Sequence, residues 1–277
     1  MAGRKVGVAD GAVVELSAPA KLTVSLRVTG VRPDGYHLLV AEMVTLDLAD
    51  TVIVGPGAGG FEVVVDWPGS TPAWRDLDVG APGDNLVTRA LDLAGRTADV
   101  RLVKRIPPGA GLGGGSADAA AVLRWAGCTD AAVAVRLGAD VPFCLHGGRA
   151  QVSGVGEVVE PLGYEPRSYV LVLPPFGVDT AAVYRAWDAL AAAGGLPSPN
   201  GSSNDLEAAA LVAEPRLEGW RRALEDASGR RAHLAGSGST WFVEGAAEEL
   251  GIDISAGLSH GGQHAPLVET RTSPGVG

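Results

Sequence analysis

The sequence predicts a globular chain that mixes β-strands with α-helices in two parts, and three observations carry that expectation. Residues 12–54 read as strands broken by turn residues, and helical spacing of apolar residues begins at Asp84 and returns at intervals to residue 227. The balance of 46% hydrophobic to 19% charged residues is that of a chain that buries a core, and 277 residues suffice for two ordinary domains.

Strands are expected at 13–17, 22–29 and 38–46, the last two joined as a hairpin by the turn sequence Arg32-Pro33-Asp34-Gly35. A Gly/Pro-rich stretch at 55–60 leads to a strand at 61–66 and then a loop at 68–83. The spacing of Leu86, Ala90, Leu91 and Leu93 predicts a helix capped by Asp84 or Asn85. A strand at 100–106, a glycine-rich loop and a helix over 116–126 follow. A short helix at 130–137 stops at Gly138, and residues 139–142 read as a turn.

Strands at 150–155 and 169–173 precede a helix at 180–193 and a flexible loop at 194–203. Asn204-Asp205-Leu206-Glu207 reads as a capping box ahead of helical segments at 206–213 and 217–227. A strand at 233–234, the loop Gly236-Ser237-Gly238-Ser239-Thr240, a strand at 241–244 and a short polar, glycine-rich tail complete the chain. The boundary between the two parts falls near 150–160, giving units of 1–155 and 156–277.

Charge and composition narrow the partners. A net charge of −10 with a pI near 4.9 disfavours a nucleic-acid partner, because binding a phosphate backbone needs a basic face. The longest apolar runs are far shorter than the ~20 residues of a membrane span, and the start of the chain lacks the apolar core of a signal peptide. Cys128 and Cys144 have neither metal-ligand nor disulfide-framework spacing. A cytoplasmic protein without membrane or nucleic-acid partners is expected, its oligomeric state open. Only Lys5, Lys21 and Lys104 among the 22 basic residues are lysine, so each of these is a candidate for a role that needs a compact point charge.

The strongest chemical signal is the run from Lys104 to Ala120, with Pro107, Gly109, Gly111, Leu112, Gly113, Gly114, Gly115 and Ser116 between a strand and an alanine-rich helix. Glycines let a backbone approach a ligand closely, and helix N-terminal N–H groups and the helix dipole favour an anion, so the loop reads as a phosphate cradle. Gly109-x-Gly111-x-x-Gly114 also fits a dinucleotide fingerprint, but it lies mid-chain, follows two prolines and lacks the acidic residue about 20 positions on. No P-loop Gly-Lys-Ser/Thr and no protein-kinase His-Arg-Asp or Asp-Phe-Gly is present.

Ala18-Pro19-Ala20-Lys21, the glycine loop, Leu137-Gly138-Ala139-Asp140-Val141-Pro142-Phe143 and the 236–240 loop, in that order, resemble the motifs of the GHMP kinases. Within that superfamily, Asp34-Gly35-Tyr36-His37, the segment 138–143 and Asn204-Asp205-Leu206-Glu207 look like those of the 4-diphosphocytidyl-2-C-methyl-D-erythritol kinases. The resemblance implies an α+β, two-domain fold: an N-terminal mixed sheet with helices, a C-terminal sheet-and-helix domain, and a site between them. It further implies an enzyme of the non-mevalonate isoprenoid pathway, which uses ATP and Mg²⁺ to phosphorylate the 2-hydroxyl of 4-diphosphocytidyl-2-C-methyl-D-erythritol.

Carried onto this chain, the resemblance makes Asp140 the base or orienting carboxylate and Lys21 its partner at the transferred phosphate, roles that suit phosphoryl transfer. Seen alone, they would be a turn-capping aspartate and a surface lysine. Ser116 either binds phosphate or Mg²⁺ or caps its helix; Asn85 and Lys104 either neighbour the nucleotide or serve as a cap and a solvated strand residue. Tyr36, His37 and Tyr184 are candidates for holding a cytosine, by stacking and by an edge contact from the imidazole. The family reads Ala-Lys-Ile-Asn where this chain has Ala20-Lys21-Leu22-Thr23, which makes Thr23 the shortened substrate-side group. That departure leaves open another GHMP kinase activity or a catalytically weak nucleotide-binding homologue.

Overall fold

The computed structural model describes residues 12–67, 84–195 and 202–275. The loop expected at 68–83, most of the 194–203 loop and the first residues of the chain lie outside these. The three strands expected at the start are two long ones, β1 (Val14–Val31) and β2 (His37–Gly55), paired antiparallel along their length. Register shifts at Pro19/Lys21, Thr23/Ser25 and Val28/Gly30 let so long a ribbon bend. The first of these shifts has a functional result. The Lys21 N–H donates to the Leu112 carbonyl at 3.0 Å, so the bulge ties β1 to the glycine loop.

β3 (Phe61–Val65) runs parallel to β4 (Asp99–Lys104), with α1 (Leu86–Leu93) between them in the chain, and β4 pairs with the C-terminal half of β2. After β4 come α2 (Gly114–Trp125), α3 (Ala131–Ala134) and α4 (Val141–His146). Residues 139–142, expected as a turn, run into α4: Pro142 fits its first turn, where no N–H is needed. β5 (Arg149–Gly154) pairs with the N-terminal half of β2, and β6 (Val158–Leu162) with β5. The first sheet therefore runs to Leu162.

α2 packs against α1, α4, β1 and β2. Its buried Ala117, Ala119, Ala120 and Ala121 explain why an alanine-rich sequence lies here, since small side chains let a central helix approach several neighbours at once.

The second sheet has the order β12-β7-β9-β8, all antiparallel, from β7 (Ser168–Val172), β8 (His233–Leu234), β9 (Trp241–Glu244) and β12 (Leu267–Arg271). α5 (Thr180–Ala192), α6 (Glu207–Ala213) and α7 (Leu217–Ser228) lie between β7 and β8 in the chain, and α5 and α7 each pack against α6. The expectation of a short polar tail is corrected: α8 (Ala247–Leu250) and the hairpin β10 (Leu258–His260) and β11 (Gln263–Ala265) lead to β12, which completes this sheet as an edge strand. Only five residues long and carrying Glu269 and Arg271, β12 lacks a strand's usual apolar signature.

A buried cluster joins the two sheets. Ala20, Leu22, Val44 and Leu46 of the hairpin meet Ile106, Ala110 and Leu112 of the glycine loop and Leu171 and Phe242 of the second sheet. Each fully buried Leu or Ile there contributes roughly 1.5–3 kcal/mol, so the glycine loop rests on a rigid floor.

Candidate active site

The carbonyls of Gly109, Ala110 and Leu112 are engaged inward, by the N–H groups of Val178 and Ser239, of Thr240, and of Lys21. These bonds fix the loop against both sheets. The amides of the first turn of α2 have no intrahelical acceptor, so a fixed loop ends in a ring of unspent donors.

Two glycines show why the sequence is so rich in them. Gly111 has φ +78°, and a Cβ there would stand 2.1 Å from the Ala235 carbonyl oxygen; Gly113 has φ +68°, and a Cβ there would meet Lys21 Cγ at 2.8 Å. Both permit close packing of the loop as well as ligand approach. Gly115 differs, being exposed, with only Leu86 Cδ1 near a built Cβ, at 3.4 Å.

Lys21 lies beneath this cradle, its side chain 5% exposed, with Nζ 3.2 Å from Asp140 Oδ2 and 3.1 Å from Thr23 Oγ1. Asp140 is 31% exposed and occupies the N-cap position of α4 without making a capping bond, so its carboxylate is not spent on the turn. A buried cation thus holds an open carboxylate in place. Thr23 is 1% exposed, and its hydroxyl oxygen accepts from Lys21.

Ser116 is the third residue of α2, close to the 138–140 segment: a Cβ on Gly138 would lie 3.9 Å from its Oγ. The N-cap position is taken by Gly113, not by Ser116. Asn85 caps α1, its Oδ1 accepting from Val87 N at 2.9 Å, and the start of α1 stands beside Gly115 through Leu86. Pro107 is buried at the loop's entry.

Lys104 is buried rather than solvated. Its ammonium donates to Asp50 and, at 2.7 Å, to Asp118 Oδ2, while Asp50 Oδ1 accepts from the N–H groups of Arg105 and Ile106. Burial pushes the Asp118 carboxyl up to about 7, against the pull of Lys104, while the two carboxylates together hold the Lys104 ammonium above its ordinary range despite burial. At Asp118 burial outweighs the Lys104 charge, so its carboxyl holds a proton more tightly than a free one. Asp118 Oδ1 has no partner among the described residues.

His37 and Tyr184 come together, their rings 4.5 Å apart, although 147 residues separate them in the chain. Tyr36 stays 63% exposed at the hairpin end, with the Arg32 guanidinium 5.9 Å from its ring centre. Burial, with the Asp140 charge second, pushes the Tyr184 phenol up to about 12. Helix α5 adds two residues that sequence reasoning missed. Trp187 stands edge-on to His37 at 5.3 Å, and Asp188 Oδ1 lies 2.7 Å from His37 Nε2. Their signal was the i, i+3, i+4 spacing from Tyr184.

The 236–240 loop closes the site from the second sheet: a Cβ on Gly236 would lie 3.3 Å from Lys21 Nζ. Asn204 holds it, its amide donating to the carbonyls of Leu234 at 3.0 Å and Gly236 at 2.6 Å. The capping box expected at 204–207 is corrected. Asn204 Oδ1 does accept from Leu206 N, but Glu207 turns to Ser202 and Arg221 instead of back to the cap.

Residues 85–148 match the family model described as the GHMP kinases N terminal domain. The 4-diphosphocytidyl-2-C-methyl-D-erythritol kinase of Paracoccus denitrificans (strain Pd 1222) is 40% identical over 246 residues, covering 82% of this chain and 85% of its own. That of Rhizobium meliloti (strain 1021) is 35% identical over 271 residues, covering 86% and 88%. A crystal structure of 4-(cytidine 5'-diphospho)-2C-methyl-D-erythritol kinase superposes with a TM-score of 0.64 at 33% identity, over 94% of this chain and all of that one. Mevalonate kinase from L. major, at 13% identity and a TM-score of 0.59, shares the fold. With the cradle, the Lys21–Asp140 pair and the four motifs meeting around Lys21, and relatives this similar over most of their length, the chain belongs to the 4-diphosphocytidyl-2-C-methyl-D-erythritol kinase family of the GHMP kinases.

Proposed function

We propose that the chain is an ATP-dependent kinase that transfers the γ-phosphate to the 2-hydroxyl of 4-diphosphocytidyl-2-C-methyl-D-erythritol, in non-mevalonate isoprenoid precursor synthesis. The observation that carries the chemistry is the buried Lys21 Nζ at 3.2 Å from the half-open Asp140 carboxylate, beside the glycine cradle. Asp140 orients the acceptor hydroxyl and takes its proton, and Lys21 fixes that carboxylate and offsets charge on the transferred group. Thr23 acts through Lys21, by the hydrogen bond that fixes the direction of the ammonium.

The α2 N-terminus, with Gly113, Gly114, Gly115 and Ser116, fits a nucleotide's phosphates, because its first-turn N–H groups have no intrahelical acceptor and Gly115 leaves the approach to them open. Asn85, at the start of α1, lies within the same rim, and Lys104 supports the loop from below. Mg²⁺ fits as an ion held chiefly by phosphate oxygens and water, with the Ser116 hydroxyl at hand; among the described residues no cluster of three acidic, His or Cys side chains is gathered for a metal. Bound there, it would neutralise phosphate charge. Tyr36, His37 and Tyr184 take the cytosine, the rings of His37 and Tyr184 standing 4.5 Å apart.

Among the described residues no helix is long and apolar enough to cross a membrane; the proposed activity belongs in the cytoplasm, where ATP is the phosphoryl donor. The test is to incubate purified protein with ATP, Mg²⁺ and the cytidine substrate and to read the product by mass. A mass increase of one phosphoryl group on the methylerythritol portion is expected. ADP release with mevalonate or homoserine in its place would move the chain elsewhere in the superfamily.

A further inference from the structure

Helix α5 surrounds the His37 imidazole on one side with a stacked ring, an edge-on indole and a carboxylate, from Tyr184, Trp187 and Asp188 at i, i+3 and i+4. The three contacts leave little freedom to the ring. The His37 side chain is 8% exposed, whereas that of Asp188 is 52% exposed, so the carboxylate reaches in from the rim to the buried imidazole. We infer that Asp188 is a positioning residue that sets the tautomer of His37 and thereby makes the site select cytosine over uracil.

The argument is one of donors and acceptors. A carboxylate only accepts, so the nitrogen that faces Asp188 at 2.7 Å, Nε2, must carry the proton. In a neutral imidazole the other nitrogen, Nδ1, is then an acceptor, and it has no protein partner among the described residues. Cytosine presents a donor amine at its position 4, and uracil presents a carbonyl acceptor there. An Nδ1 lone pair matches the first and opposes the second. Without Asp188 the ring exchanges tautomers freely, and Nδ1–H suits the uracil carbonyl as well as Nδ1 suits the cytosine amine. Sites that pair every polar group reject a mismatched analogue far better than sites that merely enclose it, so a fixed tautomer is worth a large ratio.

The inference rests on the cytidine reading above, and the experiment separates the two. The ratio of kcat/KM for the cytidine substrate to that for its uridine counterpart is measured in the parent chain, Asp188→Ala, Asp188→Asn, His37→Ala and the double variant Asp188→Ala/His37→Ala, with Tm as a folding control. Asp188→Ala should lower the ratio at least 10-fold, through the acceptor KM, with kcat and the KM for ATP near those of the parent. Asp188→Asn, whose amide can turn either its oxygen or its NH2 to Nε2, no longer dictates the tautomer and should give a ratio between those of the parent and Asp188→Ala. Asp188→Ala should have no further effect in the His37→Ala background. A parental ratio in Asp188→Ala, or an equal fall in the absence of the imidazole, overturns the assignment of Asp188 while the kinase reading stands. Turnover of neither nucleotide-linked acceptor by the parent overturns both.

Discussion

The ammonium of Lys21, almost wholly buried, stands 3.2 Å from Asp140 Oδ2, and its remaining reach is taken by Thr23 Oγ1 at 3.1 Å. A cation so enclosed cannot relax into water when its partner is altered. Asp140→Asn should therefore lower kcat at least ~100-fold, the cost of a lost positioned proton acceptor, with ATP affinity within a few-fold. Thr23→Val, which keeps the shape but removes the acceptor for Lys21, should lower kcat with less effect on the KM for ATP. Steady-state kinetics on the two variants check this. Near-parental turnover in Asp140→Asn would leave the carboxylate no role in the chemistry.

Much of this site was legible because its parts are local in the chain. The glycine loop, the segment around Asp140 and Lys21 each lie in short stretches whose residue types declare a cradle, a carboxylate and a rare lysine. What sequence could not show was convergence. Asp50, Lys104 and Asp118 come from β2, β4 and α2, and only the fold places their charges together under the loop. Asp188 was missed for the same reason: its spacing from Tyr184 puts the two on one helix face, but its partner His37 is 151 residues away. The tail was misread because β12 is held by pairing with β7 rather than by its own apolar pattern.

Gly115 allows the phosphate cradle to be tested without disturbing the fold. It is the second residue of α2, exposed, and a Cβ there meets nothing closer than Leu86 Cδ1 at 3.4 Å. Gly115→Asp places a negative charge in the helix's first turn, where the dipole favours it by roughly 0.3–1 kcal/mol, so Tm should hold or rise. The same charge repels a bound triphosphate. The rise in Tm that ATP with Mg²⁺ gives the parent should vanish, and the KM for ATP should increase at least 10-fold. An unchanged ATP response would place the nucleotide elsewhere.

Asp118 makes a prediction about pH. Its carboxyl is raised by burial from an ordinary 3.8 to about 7, so the folded state favours the neutral form. The stability this confers is complete below the unfolded value and is lost as pH rises through the folded one, on the order of 4 kcal/mol across that window. Asp118→Asn mimics the neutral acid at every pH. The Tm of the variant relative to the parent should therefore climb from pH 5 to about pH 7, where the unfolded carboxyl is ionised while the folded one keeps its proton, and level off above that. A relative Tm that falls over the same range would mean that Asp118 is a charged partner of Lys104.

Asn204 distinguishes a cap from a clasp. Its Oδ1 accepts from Leu206 N at 2.9 Å, as a capping residue would, but its amide also donates to the carbonyls of Leu234 and Gly236. Gly236 in turn walls Lys21, so the amide is a link from α6 to the reactive pair. If capping were its role, Asn204→Asp would be harmless, because aspartate caps as well as asparagine. The clasp requires the opposite. A carboxylate at 204, itself 2% exposed, would face two carbonyl oxygens with no proton to offer, and burying such unsatisfied groups costs roughly 1–3 kcal/mol or more. Asn204→Asp should thus lower Tm further than Asn204→Ala, which only removes the donors, and both should reduce kcat as the Gly236 wall loosens around Lys21. Thermal melts and kinetics on the two variants check the order. An Asp variant that melts with the parent would return Asn204 to simple capping and detach the 236–240 loop from α6.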